Sequence, residues 1–382
     1  MTLHPLRPRP AGHKAGRTAR PVAAGTGAGA SEFERDFAAY VQAPHAVSVG
    51  SGTDAIELSL RALALPPQGR VLLPAMTPHA VARTVLRCGL RPALVDVDPL
   101  TAMPSAETVA RAVRACGRPA AMVTLDYAGR PAPVAELAEA AGLPLHRVLE
   151  DASYALGAYV DGHPVGSGAQ TTCFGFRTDT DLPLGRGGMV TTRDERLAAR
   201  IRRAEGAAQG LCLPDALAAL GRARLPGLRD RQRRREVVAA RYTAALHRLR
   251  GLTCPAPPQY GCHAWHLYLL RVLDEFGTGR DEVAALLAER GVGTSVRFAP
   301  LHHTAYLRRH TQLPPDGLPG ADSLSRQLLS LPIGAALPEA SVDRVCAVIA
   351  RSSGAGGARH RPRLRTFPPT RTAPPRPVRD AR

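Results

Sequence analysis

The sequence runs to 382 residues and is 45% hydrophobic, enough apolar material for one large domain and a smaller one. Its formal charge of +18 sits mainly at the two ends, since residues 1–30 hold +5 and residues 352–382 hold +7, which leaves +6 for the body and argues against a nucleic-acid-binding face. No apolar run reaches the ~18 residues needed to cross a bilayer, which excludes a membrane-spanning helix.

Residues 1–30, rich in Pro, Gly, Ala and Arg and without an aromatic, predict a disordered basic tail. The helical segment from Ser31 and the apolar Ala46-Val-Ser-Val49 open the folded part. Gly50-Ser-Gly-Thr-Asp54 then joins that strand to an amphipathic helix, a turn in which backbone amides and the helix dipole can meet a phosphate. Strand and helix signals alternate from there: Val71–Leu73 and a helix from Ala80, Ala93–Val97 and a helix from Ala106, Ala121–Leu125 and a helix from Val134. This alternation predicts a largely parallel sheet covered by helices on both faces. A strand ending at Glu150 and Asp151 delivers two carboxylates to the ligand side of such a sheet.

Two apolar strands around a polar, glycine-rich turn occupy Cys173 to Val190. Helices follow through Arg200, Leu217 and Tyr242, with the charged run Arg229–Glu236 predicted to lie on a solvated face. Pro255-Ala-Pro-Pro258 marks a composition shift. A strand over His263–Val272 and a helix from Asp281 predict a smaller C-terminal α/β domain, and residues 352–382 a second disordered basic tail. The expected division is therefore 1–30, 31–250, 251–351 and 352–382. Seven cysteines, odd in number and lacking a Cys-x-x-Cys pair, suggest reduced thiols in a cytoplasmic protein, and no metal site is read from the sequence.

Glu150-Asp-Ala-Ser-Tyr-Ala-Leu-Gly-Ala158, the turn at Ser51–Ala55 and the stretch Cys173–Val190 together resemble the cofactor site of the DegT/StrS-type sugar aminotransferases, and the order of motifs is similar over residues 31–350. The resemblance implies a type I aminotransferase fold: a large, mainly parallel sheet domain flanked by helices, plus a small C-terminal α/β domain. It implies a pyridoxal-phosphate pocket in which Gly52 and Thr53 meet the phosphate, Asp151 keeps the pyridine nitrogen protonated and Tyr154 lies near the ring. It also implies a homodimer, or a heterodimer with an active relative, and a nucleotide-sugar ligand.

Several positions depart from the family's pattern. The lysine that holds the cofactor covalently is Thr180 here, and the sole lysine of the chain is Lys14. The phosphate-binding serine is Gly175, the stacking aromatic is Pro78 with His79 beside it, and the segment contributed to a partner subunit is reduced to Gly210–Asp215. Asp179, Asp181, His79 and His302 are the side chains that could replace the lysine as a base. The expectation is a modified-sugar-pathway protein with a degenerate site, weak noncovalent binding of pyridoxal or pyridoxamine phosphate, and no ordinary transamination. The alternative is an active noncovalent cofactor enzyme, an aminotransferase or a dehydratase-like one.

Overall fold

A computed structural model describes residues 28–168, 170–207, 211–256 and 261–353. The expected tails lie outside this range except for their inner edges, where α1 (Ala28–Val41) starts and the last helix ends. Short runs of Val, Leu and Ala form β1 (His45–Val49), β2 (Arg70–Pro74), β3 (Arg91–Val95), β4 (Ala121–Leu125) and β5 (Val148–Asp151). After a two-stranded ribbon, β6 (Tyr159–Val160) and β7 (His163–Pro164), come β8 (Thr171–Gly175) and β9 (Gly188–Thr192). Seven of these make one sheet in the order β1-β9-β8-β5-β4-β2-β3.

Only β9 runs against its neighbours, pairing antiparallel with β1 and β8, while the remaining pairs are parallel. The C-terminal ends of β1, β5 and β8 therefore meet the start of β9 along one edge, where Gly188 is paired to both Val49 and Gly175. Most strand positions are buried, so both faces need cover. On one face α2 (Gly52–Ala62) and α3 (His79–Arg87) pack into the main apolar cluster; on the other, α4 (Ala106–Cys116) and α5 (Val134–Ala140) close a second one.

Local chemistry sets the helix starts. Ser51 caps α2 by accepting the Asp54 amide at 3.1 Å, and Ser105 and Thr108 form a reciprocal capping box at α4. α6 (Glu195–Ala207) and α7 (Asp215–Arg224) follow β9, and α7 packs beside α1.

The small C-terminal unit is an antiparallel sheet of β10 (Leu252–Thr253), β11 (Tyr268–Val272) and β12 (Leu328–Leu331). α8 (Leu228–Leu246), α9 (Arg280–Glu289) and α12 (Glu339–Ser352) cover it, with the short α10 (Ala305–His310) and α11 (Pro319–Gln327) between β11 and β12. The proline stretch from Pro255 thus follows the first strand of this sheet and does not precede it. α8 belongs to two cores: Leu228 joins the cluster beneath β8 and β9, whereas Val238, Tyr242 and Leu246 pack with β11 and α12.

The strand expected over His263–Val272 begins only at Tyr268. Its first half is taken by the large domain, because Ala264 and Leu267 donate their amides to Gly129 and Ala128 at 2.8 and 3.1 Å. This crossing brings His266 to the edge of the large sheet.

Candidate functional site

The exits of β1, β5 and β8 converge on a glycine contact. A Cβ on Gly52 would lie 2.9 Å from the Gly175 Cα and 3.2 Å from Ser153 Oγ, so nothing larger than glycine fits there. A side chain at Gly175 would itself start 3.1 Å from Ser153 Oγ, a tight contact that Ser153 would have to relieve. Thr53 stands beside Gly52 in the first turn of α2. Gly52→Ala is therefore expected to cost about 1 to 3 kcal/mol, because two backbones must part; a urea midpoint unchanged from wild type would refute the contact.

Asp151 lies at the end of β5, buried, with Oδ1 accepting the Ser153 hydroxyl at 2.6 Å and the Ser153 amide at 3.1 Å. Burial pushes its carboxyl up, and the Ser153 donors oppose that shift. Glu150 points to the other side of the strand, where Gln170 and Thr172 donate to its Oε2. A third acid, Asp126, was not singled out from the sequence. It is fully buried after β4 and accepts the Ala132 amide at 2.9 Å.

Burial, and next the Glu150 charge, hold Asp126 well above the ordinary carboxylate range. The folded chain thus keeps a proton that the unfolded chain gives up near the usual ~3.9. More protons bound in the folded state means that stability falls as pH rises through the raised value. Asp126→Asn, uncharged at every pH, is expected to raise neutral-pH stability by about 1 to 3 kcal/mol and to flatten this dependence. Denaturant melts from pH 4 to 8 check it.

Thr180 is 4% exposed, and its hydroxyl donates to the Arg177 carbonyl at 2.8 Å, closing its own turn. That turn is clasped on both sides. Asp179 binds Arg177 at 3.1 Å and Arg297 at 2.9 Å, while Asp181 forms a buried ion pair with Arg235 of α8. Burial would raise the Asp179 carboxyl, but Arg297 and Arg177 bring it below the ordinary range. Asp179 and Asp181, offered above as bases, are held by guanidinium groups instead. His302 is likewise bound to Asp322 at 2.8 Å, and His79, the first residue of α3, has its Nε2 3.5 Å from Thr304 Oγ1. Among the described residues there is no lysine.

Tyr154 is stacked on His266, with ring centroids 4.2 Å apart and planes at 27°, and more distantly on Phe298. Burial pushes the phenol up to about 12 and the His266 imidazole down to about 3, so both are neutral near pH 7. A cleft of about 440 Å³ opens next to this pair, lined by Asp179, His266, Thr294, Ser295, Arg297 and Ser330 from both domains. In the described part of the reduced segment before α7, Leu211 accepts the Gly50 amide at 2.5 Å and Leu213 is buried against Gly187.

Arg235, Arg297, Ser153 and His266 were missed from the sequence. Arg235 lay in the run read as a solvated face; most of that run is exposed, but Arg235 turns inward at the helical spacing of Leu228 and Ala239.

A strand-end carboxylate and a glycine turn at the ligand edge of a mostly parallel sheet, with a small domain closing over a cleft, define an aminotransferase-type scaffold. The chain belongs to the DegT/DnrJ/EryC1/StrS aminotransferase family, whose model matches residues 18–350. It is 33% identical over 340 residues to the spore coat polysaccharide biosynthesis protein SpsC of Bacillus subtilis, covering 82% of this chain and 87% of that one. It is 34% identical over 328 residues to a dTDP-3-amino-3,4,6-trideoxy-alpha-D-glucose transaminase of Streptomyces venezuelae, covering 82% and 84%. The crystal structure of S. venezuelae DesV, solved in complex with a ketimine intermediate, superposes with a TM-score of 0.78 at 32% identity, over 85% of this chain and 89% of that one. The expected fold class is thereby established. No helix among the described residues is long and apolar enough to cross a membrane.

Proposed function

We propose that this chain serves modified-sugar biosynthesis as a family member that keeps the cofactor cradle and has lost the covalent anchor, so that it performs no ordinary transamination. The observation that carries the reading is Thr180: at the lysine position a buried hydroxyl is committed to the carbonyl of its own turn. The residues suit a ring and a phosphate held without a covalent bond. Asp151 can hold a ring nitrogen protonated, and the Gly52–Thr53 amides at the start of α2 can bind a phosphate. Pyridoxal or pyridoxamine phosphate, when bound, supplies an electron sink for a carbanion at the substrate carbon.

Proton transfer to that carbon needs a base, and three of the four side chains offered for it are held by charged partners: Arg297 and Arg177 for Asp179, Arg235 for Asp181, Asp322 for His302; His79 meets the Thr304 hydroxyl at 3.5 Å. Arg297 and Arg177 at the mouth of the site suit an anionic ligand such as a nucleotide sugar. The proposed assembly is a homodimer, or a pair with an active relative.

Equilibrium dialysis tests the cradle. Wild type is expected to retain pyridoxamine phosphate weakly, and Asp151→Ala to lose roughly tenfold or more of that affinity. Equal retention by both would remove Asp151 from the reading. Amino transfer from an amino-acid donor at rates typical of enzymes, roughly 1 to 1,000 per second, would favour the noncovalent enzyme.

A further inference from the structure

A separate cluster of side chains has the donor set of a metal site. The single turn Leu301–His303 presents two adjacent imidazoles, and α11 presents Asp322 in its first turn. Both Nε2 atoms converge on one carboxylate oxygen: Asp322 Oδ1 is 2.8 Å from His302 and 2.7 Å from His303. The ring planes stand at 72° with centroids 4.6 Å apart, so the two nitrogens approach from different directions. The three ligating atoms all lie within 4.8 Å of one another.

We propose that His302, His303 and Asp322 bind a divalent transition-metal ion of the zinc, cobalt and nickel class, with water completing the coordination. Two imidazoles and one carboxylate favour that class over calcium or magnesium, which take oxygen ligands. The ion replaces the protons that the imidazoles share with Oδ1. Bonds of about 2.0–2.2 Å in a tetrahedral arrangement put ligand atoms roughly 3.3 Å apart, so each nitrogen must draw back from Oδ1 by roughly half an ångström. His303 is 44% exposed along its side chain and Asp322 40%, which leaves both free to adjust and leaves room for water.

The position gives the ion a consequence. Asp322 belongs to a helix whose start is fixed by Asp96, which accepts the Gly320 and Ala321 amides at 3.0 and 2.9 Å. The imidazole turn is fixed to the large domain, as Leu301 donates its amide to the Ala75 carbonyl at 2.8 Å. An ion here ties α11 to the segment from Ala75 to His79, the stretch that the family resemblance places at the cofactor ring.

The test uses the full chain stripped with chelator and titrated with Co²⁺, followed by displacement with Zn²⁺. One equivalent should bind with a visible spectrum of nitrogen and oxygen ligation and no thiolate charge-transfer band, and zinc should raise the melting temperature. His303→Ala and Asp322→Asn should each weaken binding roughly tenfold or more and abolish the zinc-dependent rise. His303→Ala, at an exposed position, should melt like wild type without metal. If both variants bind as wild type does, or a thiolate band places the ion on the exposed Cys212 or Cys262, or no metal binds, the proposal is wrong.

Discussion

After incubation with pyridoxal phosphate and reduction with borohydride, the full chain is expected to carry no stoichiometric covalent adduct. Imine formation needs an amine, and the sole lysine, Lys14, lies 166 residues before Thr180 and outside the described residues. The Thr180 hydroxyl can neither form the imine nor take the lysine's place in shuttling a proton. Loss of positioned proton transfer alone lowers a rate by roughly 10²- to 10⁴-fold. Peptide mapping by mass spectrometry reads the result directly. An adduct on Lys14 together with turnover of an amino donor would overturn the proposed function. Thr180→Lys is expected to fall short of restoring a strong cofactor absorbance, because Gly175 and Pro78 still lack the serine and aromatic that the family places there. A strong absorbance in that variant would make an enzyme with unusual chemistry the better reading.

The largest effect on stability is expected at the ion pair between Asp181 and Arg235. Asp181 is buried and Arg235 is largely covered, with 14% of its side chain exposed, and burial lowers the guanidinium to about 10. Removing one partner leaves an uncompensated charge, at a cost of about 3 to 5 kcal/mol. Arg235→Ala and Asp181→Ala should both show it in urea unfolding. Replacing the two together by Met and Leu should recover most of the loss, since apolar groups need no counter-charge in that space. Single substitutions costing under ~1 kcal/mol would match an exposed pair and sink the argument.

Much of the large domain was legible because its strands are short apolar runs bounded by glycine, proline and charged residues, as in Arg70–Pro74 and Ala121–Leu125. The pattern failed where a distant backbone competed for the same groups. His263–Leu267 reads as the start of a strand, yet its amides go to Ala128 and Gly129, well over a hundred residues earlier in the chain. Thr180, Asp151, Gly52 and Gly175 could be located from local motifs. Their neighbours Arg297 and Arg235 could not, since each reaches the site from another part of the chain and sits among many other arginines. Asp126 was hidden for a different reason: its carboxyl is shifted by burial and next by the Glu150 charge, and both arise only once β4 and β5 are paired and covered.

α8 ends with its first turn in one core and its second half in another, and its 19 residues span roughly 28 Å as a straight rod. Such a rod acts mechanically as an axle. The small domain cannot tilt on the large one without turning this helix, and Arg235 lies between the two embedded ends. Through its grip on Asp181, a tilt of one core on the other would pull on the turn that holds Thr180.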